Sequence, residues 1–154
     1  MAKEIERKFL VTDTSYRGLS DSSVRIKQAY LSTSPDSTVR LRIAGQKAFI
    51  TVKSCNHGAT RNEWEYEIPV EDVEQMMLTC AASPIIEKVR YRVGRWEVDE
   101  FHGHLEGLVV AEIELESEDE TFDKPTFIGP EVTGDPRYYN SSLSQASSAP
   151  VSTF

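Results

Sequence analysis

The chain of 154 residues has only two cysteines, Cys55 and Cys80, and no apolar run near the ~20 residues that a membrane helix needs. The first shortage excludes a disulfide scaffold and the second a helical membrane protein. The opening segment, residues 1–11, is charged and lacks the apolar stretch of a secretion signal, so the chain reads as cytosolic with reduced thiols. Basic residues are outnumbered, 17 against 25, for a net charge of −8. That balance argues against general nucleic-acid binding, which wants a basic surface. No G-x-x-x-x-G-K-[ST] loop occurs, which removes the P-loop nucleotide hydrolases. Neither cysteine has a base partner at a recognisable spacing, so a thiolate nucleophile is not expected. His57 falls in a polar Asn56-His57-Gly58 turn, and His102 and His104, two apart at a strand exit, read as surface residues rather than a metal pair.

What the chain does have is short segments of period two. Strands are expected near residues 5–11, 24–31, 38–43, 47–53, 62–68, 87–93, 95–101 and 108–116. Ala44-Gly45-Gln46 and Val93-Gly94-Arg95-Trp96 have the composition of tight hairpin turns. Eight strands at this spacing imply a barrel or a sandwich. One helix is expected over residues 70–81, where Val73, Met76, Met77, Cys80 and Ala81 follow the helical apolar spacing; its methionines are core filler. A second short helix should follow Thr133, with that hydroxyl as its cap. Residues 141–154 contain six serines and read as a disordered tail beyond the first few residues, leaving a single domain over 1–140.

The charges are distributed unevenly. Residues 1–61 carry a net +6 and residues 62–154 a net −14. Within the strands, charge recurs at every second position. Glu4, Glu6 and Lys8 alternate with apolar residues, as do Arg40 and Arg42, the set Arg61, Glu63, Glu65, Glu67, the set Lys88, Arg90, Arg92, the pair Glu97, Asp99, and the set Glu112, Glu114, Glu116. Ordinary strands with their charged faces in water give the same alternation. A closed barrel of eight strands also leaves room for charged side chains or one small ligand inside. Charges within a segment tend to share one sign, which repels unless a multivalent ligand neutralises it. Arginine and lysine grip phosphate oxygens. Carboxylates make sense beside phosphate only with a hard cation between them. The inward reading therefore implies a polyphosphate or nucleoside triphosphate with divalent metal, and it requires the apolar partners to face outward under helices or a second subunit.

The motifs that carry these charges, in order, are Glu4-Ile5-Glu6-Arg7-Lys8, Gln28-Ala29-Tyr30-Leu31, Arg40-Leu41-Arg42, Thr51-Val52-Lys53, Arg61-Asn62-Glu63-Trp64-Glu65, Glu87-Lys88-Val89-Arg90-Tyr91 and Glu112-Ile113-Glu114-Leu115, closed by residues 132–140. This series resembles the CYTH superfamily, the triphosphate tunnel metalloenzymes, over about residues 3–140. The resemblance implies a mainly β fold, an eight-stranded antiparallel closed barrel forming a tunnel with a few flanking helices. It implies a metal-dependent triphosphatase, most simply of inorganic tripolyphosphate. Other family activities are hydrolysis of thiamine or nucleoside triphosphates and adenylate cyclisation; a non-catalytic polyphosphate-binding module and a barrel for an apolar ligand are the readings outside the enzyme class. The cofactor implied is Mg²⁺ or Mn²⁺, two ions, and the partner a small-molecule triphosphate, with no nucleic acid and no membrane; a homodimer is compatible with an apolar outer face. By the same resemblance Glu4, Glu6, Glu112 and Glu114 hold metal. Arg40, Arg42, Lys53, Lys88, Arg90, Arg137 and Lys8 bind phosphate. Glu63 and Glu65 orient water, Lys8 and Lys88 are catalytic candidates, and Arg61 and Asp99 support them. Pro136 and Tyr139 stand where relatives often have lysine.

Overall fold

A computed structural model describes residues 2–34, 36–55, 58–146 and 149–150; the expected turn at His57 lies outside them. Nine strands form in chain order: β1 (Ala2–Val11), β2 (Ser22–Ser34), β3 (Ser37–Ala44), β4 (Lys47–Ser54), β5 (Thr60–Ile68), β6 (Ile86–Val93), β7 (Trp96–Phe101), β8 (Val109–Glu114) and β9 (Ile128–Glu131). Neighbours follow the order β5-β4-β3-β2-β6-β7-β8-β1, and β5 also pairs with β1, so eight antiparallel strands close on themselves. The closing pairs are Glu4 with Arg61 on one side of β1 and Glu6 with Glu114 on the other. Both two-residue hairpins begin with glycine at positive φ, Gly45 at 61° and Gly94 at 59°, and among the described residues no other residue type occupies that region. This is the turn geometry whose twist matches the flanking strands.

The ninth strand was not expected. β9 lies along the C-terminal half of β1 and carries Pro130 at an edge position, where proline is tolerated. Only glycine fits at 129, since a Cβ there would meet the Thr12 side chain at 2.6 Å and the Leu10 carbonyl oxygen at 3.1 Å.

Three apolar clusters build the core, and two of them lie outside the barrel wall. Phe9, Trp96, Val98, Ala111 and Ile113 point outward and are covered by Tyr16 of α1 (Tyr16–Leu19) and by Phe122 and Phe127 of the segment after β8. Phe9, Trp96 and Phe122 meet edge to face with ring centroids 5.5–6.1 Å apart. Ala29, Leu41 and Ala48 are covered by Val73 and Met77 of α2 (Val70–Thr79). So the apolar positions do face outward under helical and loop cover, as the inward-charge reading requires. On β5 this cover is incomplete, and Tyr66 is 65% exposed.

Helix α2 ends at Thr79 rather than Ala81. The chain turns there to reach β2, where Ala82 donates to the Tyr30 carbonyl and the Ser83 hydroxyl accepts from the Tyr30 amide. The third cluster plugs one end of the barrel with Ile86, Phe101, Leu105, Leu108, Val110, Tyr138 and Leu143. Leu143 belongs to α3 (Asn140–Gln145) and is 0% exposed, so the serine-rich segment starts as packed helix, and Ala146 and Ala149 also pack on this cluster. The remainder of the expected disordered tail, 147–148 and 151–154, lies outside the described residues. The helix expected after Thr133 is a 3₁₀ turn over Pro136–Tyr138, capped by Asp135 accepting from the Arg137 amide. The Thr133 hydroxyl instead accepts from the Lys8 amide and donates to Glu131.

Candidate active site inside the barrel

Closing the sheet sends one set of alternate residues inward, and those are the charged ones. A cavity of about 190 Å³ is lined by seven carboxylates, Glu4, Glu6, Glu63, Glu65, Glu97, Glu112 and Glu114, and by four cations, Arg40, Arg42, Lys53 and Arg90, with Asn140 beside them. Its wall is almost wholly polar. The register explains the crowding of acids: Glu6 stands opposite Glu114, Lys8 opposite Glu112, and Glu97 opposite Glu112 on the other side. A smaller cavity of about 50 Å³ shares Glu6, Arg40, Lys53 and Asn140 and adds Lys8, Arg61, Tyr30 and Thr38.

The charges are paired across strands. Lys53 meets Glu4 at 3.2 Å, and Arg61 reaches Glu4 at 3.7 Å and Glu6 at 3.6 Å. The Lys8 ammonium donates to the Tyr138 carbonyl at 2.8 Å and stands 3.7 Å from Glu112. Arg40 is 3.7 Å from Glu65 and 3.4 Å from the Thr51 hydroxyl, which itself donates to Glu65 at 2.7 Å. Asp99 anchors two cations at once, Lys88 at 2.7 Å and Arg90 through two bonds of 2.8 and 2.9 Å.

Burial sets the proton affinities. Burial, then the adjacent Glu112 carboxylate, hold Glu6 well above the usual carboxylate range. Burial also pushes Glu112 upward, but Lys8 and a hydrogen bond from Glu6 outweigh it and keep Glu112 ionised. The two shifts run in opposite directions, as expected where two carboxylates share a site. Burial, with Glu4 and Glu97, raises Glu114. Burial and Arg40 press Lys53 down to about 8; burial, with Arg40 and Arg90, presses Arg42 down to about 9. Burial lowers Lys88 to about 7 although Asp99 opposes it. Asp99 is buried too, yet Arg90 and Lys88 hold it far below the usual carboxylate range.

Most residues singled out from the sequence come together here: Glu4, Glu6, Lys8, Arg40, Arg42, Lys53, Arg61, Glu63, Glu65, Arg90, Glu112 and Glu114 line one or both cavities. Lys88 and Asp99 line neither. The Lys88 ammonium is enclosed against Asp99 and above the Phe101 ring at 5.2 Å. Arg137 also stands outside, exposed, bonded to Asp135 at 2.7 Å and laid over the Tyr138 ring. Glu97, Gln28, Thr51, Thr38 and Asn140 carry no role in the sequence reading. Glu97 was legible from its place two residues before Asp99, and Gln28 and Thr51 from sharing the inward register with Tyr30 and Lys53. Asn140 had no such signal. His102 pairs with Glu100 and Glu106 at the surface, and neither cysteine is in a disulfide among the described residues.

Oxygen donors this dense, with no histidine or cysteine among them, suit a hard divalent cation. Glu112 Oε1, 3.7 Å from the Lys8 ammonium, is buried with no hydrogen-bond partner among the described residues, an acceptor available to such an ion. Among the described residues no three acid, histidine or cysteine side chains already converge as a cage. An ion held here would share its shell between carboxylates, water and a ligand's oxygens, the habit of Mg²⁺ beside phosphate.

Fold and site together define a closed antiparallel barrel with a polar, charge-paired interior suited to a small polyanion. Sequence relationships agree. The CYTH domain model matches residues 2–147, and the chain belongs to the CYTH family. It is 47% identical over 147 residues to an inorganic triphosphatase of Acetivibrio thermocellus, covering 93% of this chain and 94% of that one. It is 40% identical over 149 residues to an inorganic triphosphatase of Nitrosomonas europaea, with 91% and 95% covered. Among solved structures it matches the inorganic triphosphatase NE1496 with a TM-score of 0.63 at 35% identity, over 95% of this chain and 97% of that one.

Proposed function

We propose that this chain hydrolyses the terminal phosphoanhydride of a linear triphosphate, inorganic tripolyphosphate first, with Mg²⁺ or Mn²⁺. The observation that carries the reading is one cavity in which seven carboxylates face four cations. Cations alone would suffice to hold an anion. Seven acids crowded beside them point to a cation bound with the anion. The two related enzymes bear the name inorganic triphosphatase.

In this reading Arg40, Arg42, Lys53 and Arg90 hold the phosphate oxygens. Glu4, Glu6, Glu112 and Glu114 are the residues for the metal ions, with Glu63 and Glu65 for a second ion and for orienting the attacking water. Bound there, the metal neutralises charge on the phosphates and polarises them, which is most of what phosphoryl transfer demands. Lys8 lies between the Tyr138 carbonyl and Glu112 and is placed to give a proton to the departing phosphate. Asp99 acts from outside the cavity by fixing Arg90, and Lys88 pairs with Asp99 behind it. A cytosolic setting with both thiols reduced belongs to the same reading.

The test is phosphate release from tripolyphosphate, ATP, thiamine triphosphate and pyrophosphate, each with Mg²⁺, with Mn²⁺ and with chelator. Metal-dependent release, fastest from tripolyphosphate, is expected. Glu6→Gln should lower kcat at least 100-fold, about 2.7 kcal/mol of barrier, with its melting temperature kept. Normal metal-dependent turnover by Glu6→Gln refutes the scheme.

A further inference from the structure

Among the cations of the cavity, Arg42 is held differently from the rest. Lys53, Arg61, Lys8 and Arg90 each stand within 4 Å of a carboxylate, and Arg40 within 3.7 Å of Glu65. No such ion pair involves Arg42 among the described residues. Its Nε and one terminal nitrogen both donate to Gln28 Oε1, at 3.0 and 2.8 Å. Gln28 stands directly across from Arg42 in the β2–β3 register and is 0% exposed.

A fully buried glutamine is uncommon and costly unless its amide is satisfied. Here only half is: the oxygen takes both arginine bonds, and the buried amide nitrogen has no hydrogen-bond partner among the described residues. A carboxylate would anchor the arginine more strongly, as a bidentate ion pair. It would also cancel the charge. The neutral amide fixes the plane of the guanidinium, occupies two of its five N–H donors and leaves three, with the full charge, for the cavity that Arg42 lines.

We propose that Gln28 is a positioning residue for the triphosphate: it orients Arg42 toward the phosphate chain while keeping it uncompensated, so affinity at this position depends on a neutral partner. This rests on the reading that Arg42 grips phosphate. Two requirements follow that a purely structural role does not share. Replacing Gln28 by an acid should help the fold, or leave it unchanged, and harm binding.

The experiment measures kcat, KM for tripolyphosphate and thermal melting for the parent, Gln28→Glu, Gln28→Met and Arg42→Ala. Gln28→Glu is expected to melt no lower than the parent and to raise KM at least about tenfold, equivalent to about 1.4 kcal/mol. Gln28→Met removes the anchor without adding charge and should raise KM about threefold or more. A KM within twofold of the parent in Gln28→Glu overturns the proposal. Should Gln28→Glu not fold, Gln28→Met at the parent's KM overturns it equally. Arg42→Ala separates the two layers. If KM is unmoved by Arg42→Ala, the phosphate-gripping reading of Arg42 fails. If KM rises in Arg42→Ala and not in the Gln28 variants, only the role of Gln28 fails.

Discussion

Replacing Asp99 by asparagine should cost more stability than any other single isosteric change in the barrel. The Asp99 carboxylate is 2% exposed, forms an ion pair with Lys88 at 2.7 Å and accepts from Arg90 at 2.8 and 2.9 Å. Asparagine keeps the shape but removes the charge, and it turns an amide N–H toward at least one cation. Breaking a buried pair by removing one partner costs about 3–5 kcal/mol. For a chain of this length each kcal/mol moves the melting temperature by about 2–4 °C, so a fall of about 10 °C is expected at pH 5.5.

Lys88 makes the loss depend on pH. Burial already lowers its ammonium to about 7 with Asp99 opposing. Without that carboxylate it falls further, and the variant sheds the proton at a pH where the parent still holds it. The deficit should therefore be smaller at pH 8 than at pH 5.5. The acid limb runs the other way. Asp99 is held far below its unfolded value, so its stabilisation is present above pH ~4 and is lost as pH falls below that; the variant lacks this slope. Thermal denaturation followed by circular dichroism at pH 3, 5.5 and 8 checks all three statements. A fall under about 3 °C at pH 5.5, or a deficit larger at pH 8, refutes the reasoning.

Three further outcomes are expected. The KM for tripolyphosphate should rise above about pH 8 as Lys53, lowered by burial to about 8, loses its charge, and Lys53→Arg should move that rise to higher pH in steady-state profiles. Arg137→Ala should change kcat/KM less than about twofold, because Arg137 lies outside both cavities, bonded to Asp135; a loss of tenfold would restore it to the phosphate site. Leu143→Ala should destabilise the fold by about 2–5 kcal/mol in urea titration, since this side chain fills the plug at the barrel end.

The alternation of charge and apolar residue was enough to draw eight strands, and Gly45 and Gly94 were enough to draw two hairpins. It was not enough to say which face is inside, because Glu4-Ile5-Glu6 has the same period either way round. That is decided by β1 pairing with both β5 and β8, a contact no local pattern records. Where tertiary contact overrides composition, the sequence misleads. No strand was expected at 128–131, where β9 forms; the serine-rich segment, expected to be disordered beyond its first few residues, packs Ala146 and Ala149 on the core. Within the site, the inward register brought most expected residues together, but it does not say how deep a side chain lies. Lys88 shares the period of Arg90 and is sealed behind the wall with Asp99. Arg137 sits in a turn whose cap, Asp135, takes its side chain. Gln28 and Thr51 were uncharged and passed without a role, though each holds an arginine in place.

The closure of β1 has a kinetic meaning as well. Glu6 and Glu114 face each other across strands about a hundred residues apart in the chain, and bringing such distant segments together is the slow part of assembling a β fold. During synthesis β1 emerges first and must wait for β8, the last strand of the ring. Until then its acids have half their neighbours, and the cations of β3 and β4 face an open sheet. The interior therefore comes into being in a single late event, and a ligand that spans Glu6 and Glu114 stabilises only the finished barrel. In refolding, the moment such a ligand is first held is the moment the ring closes.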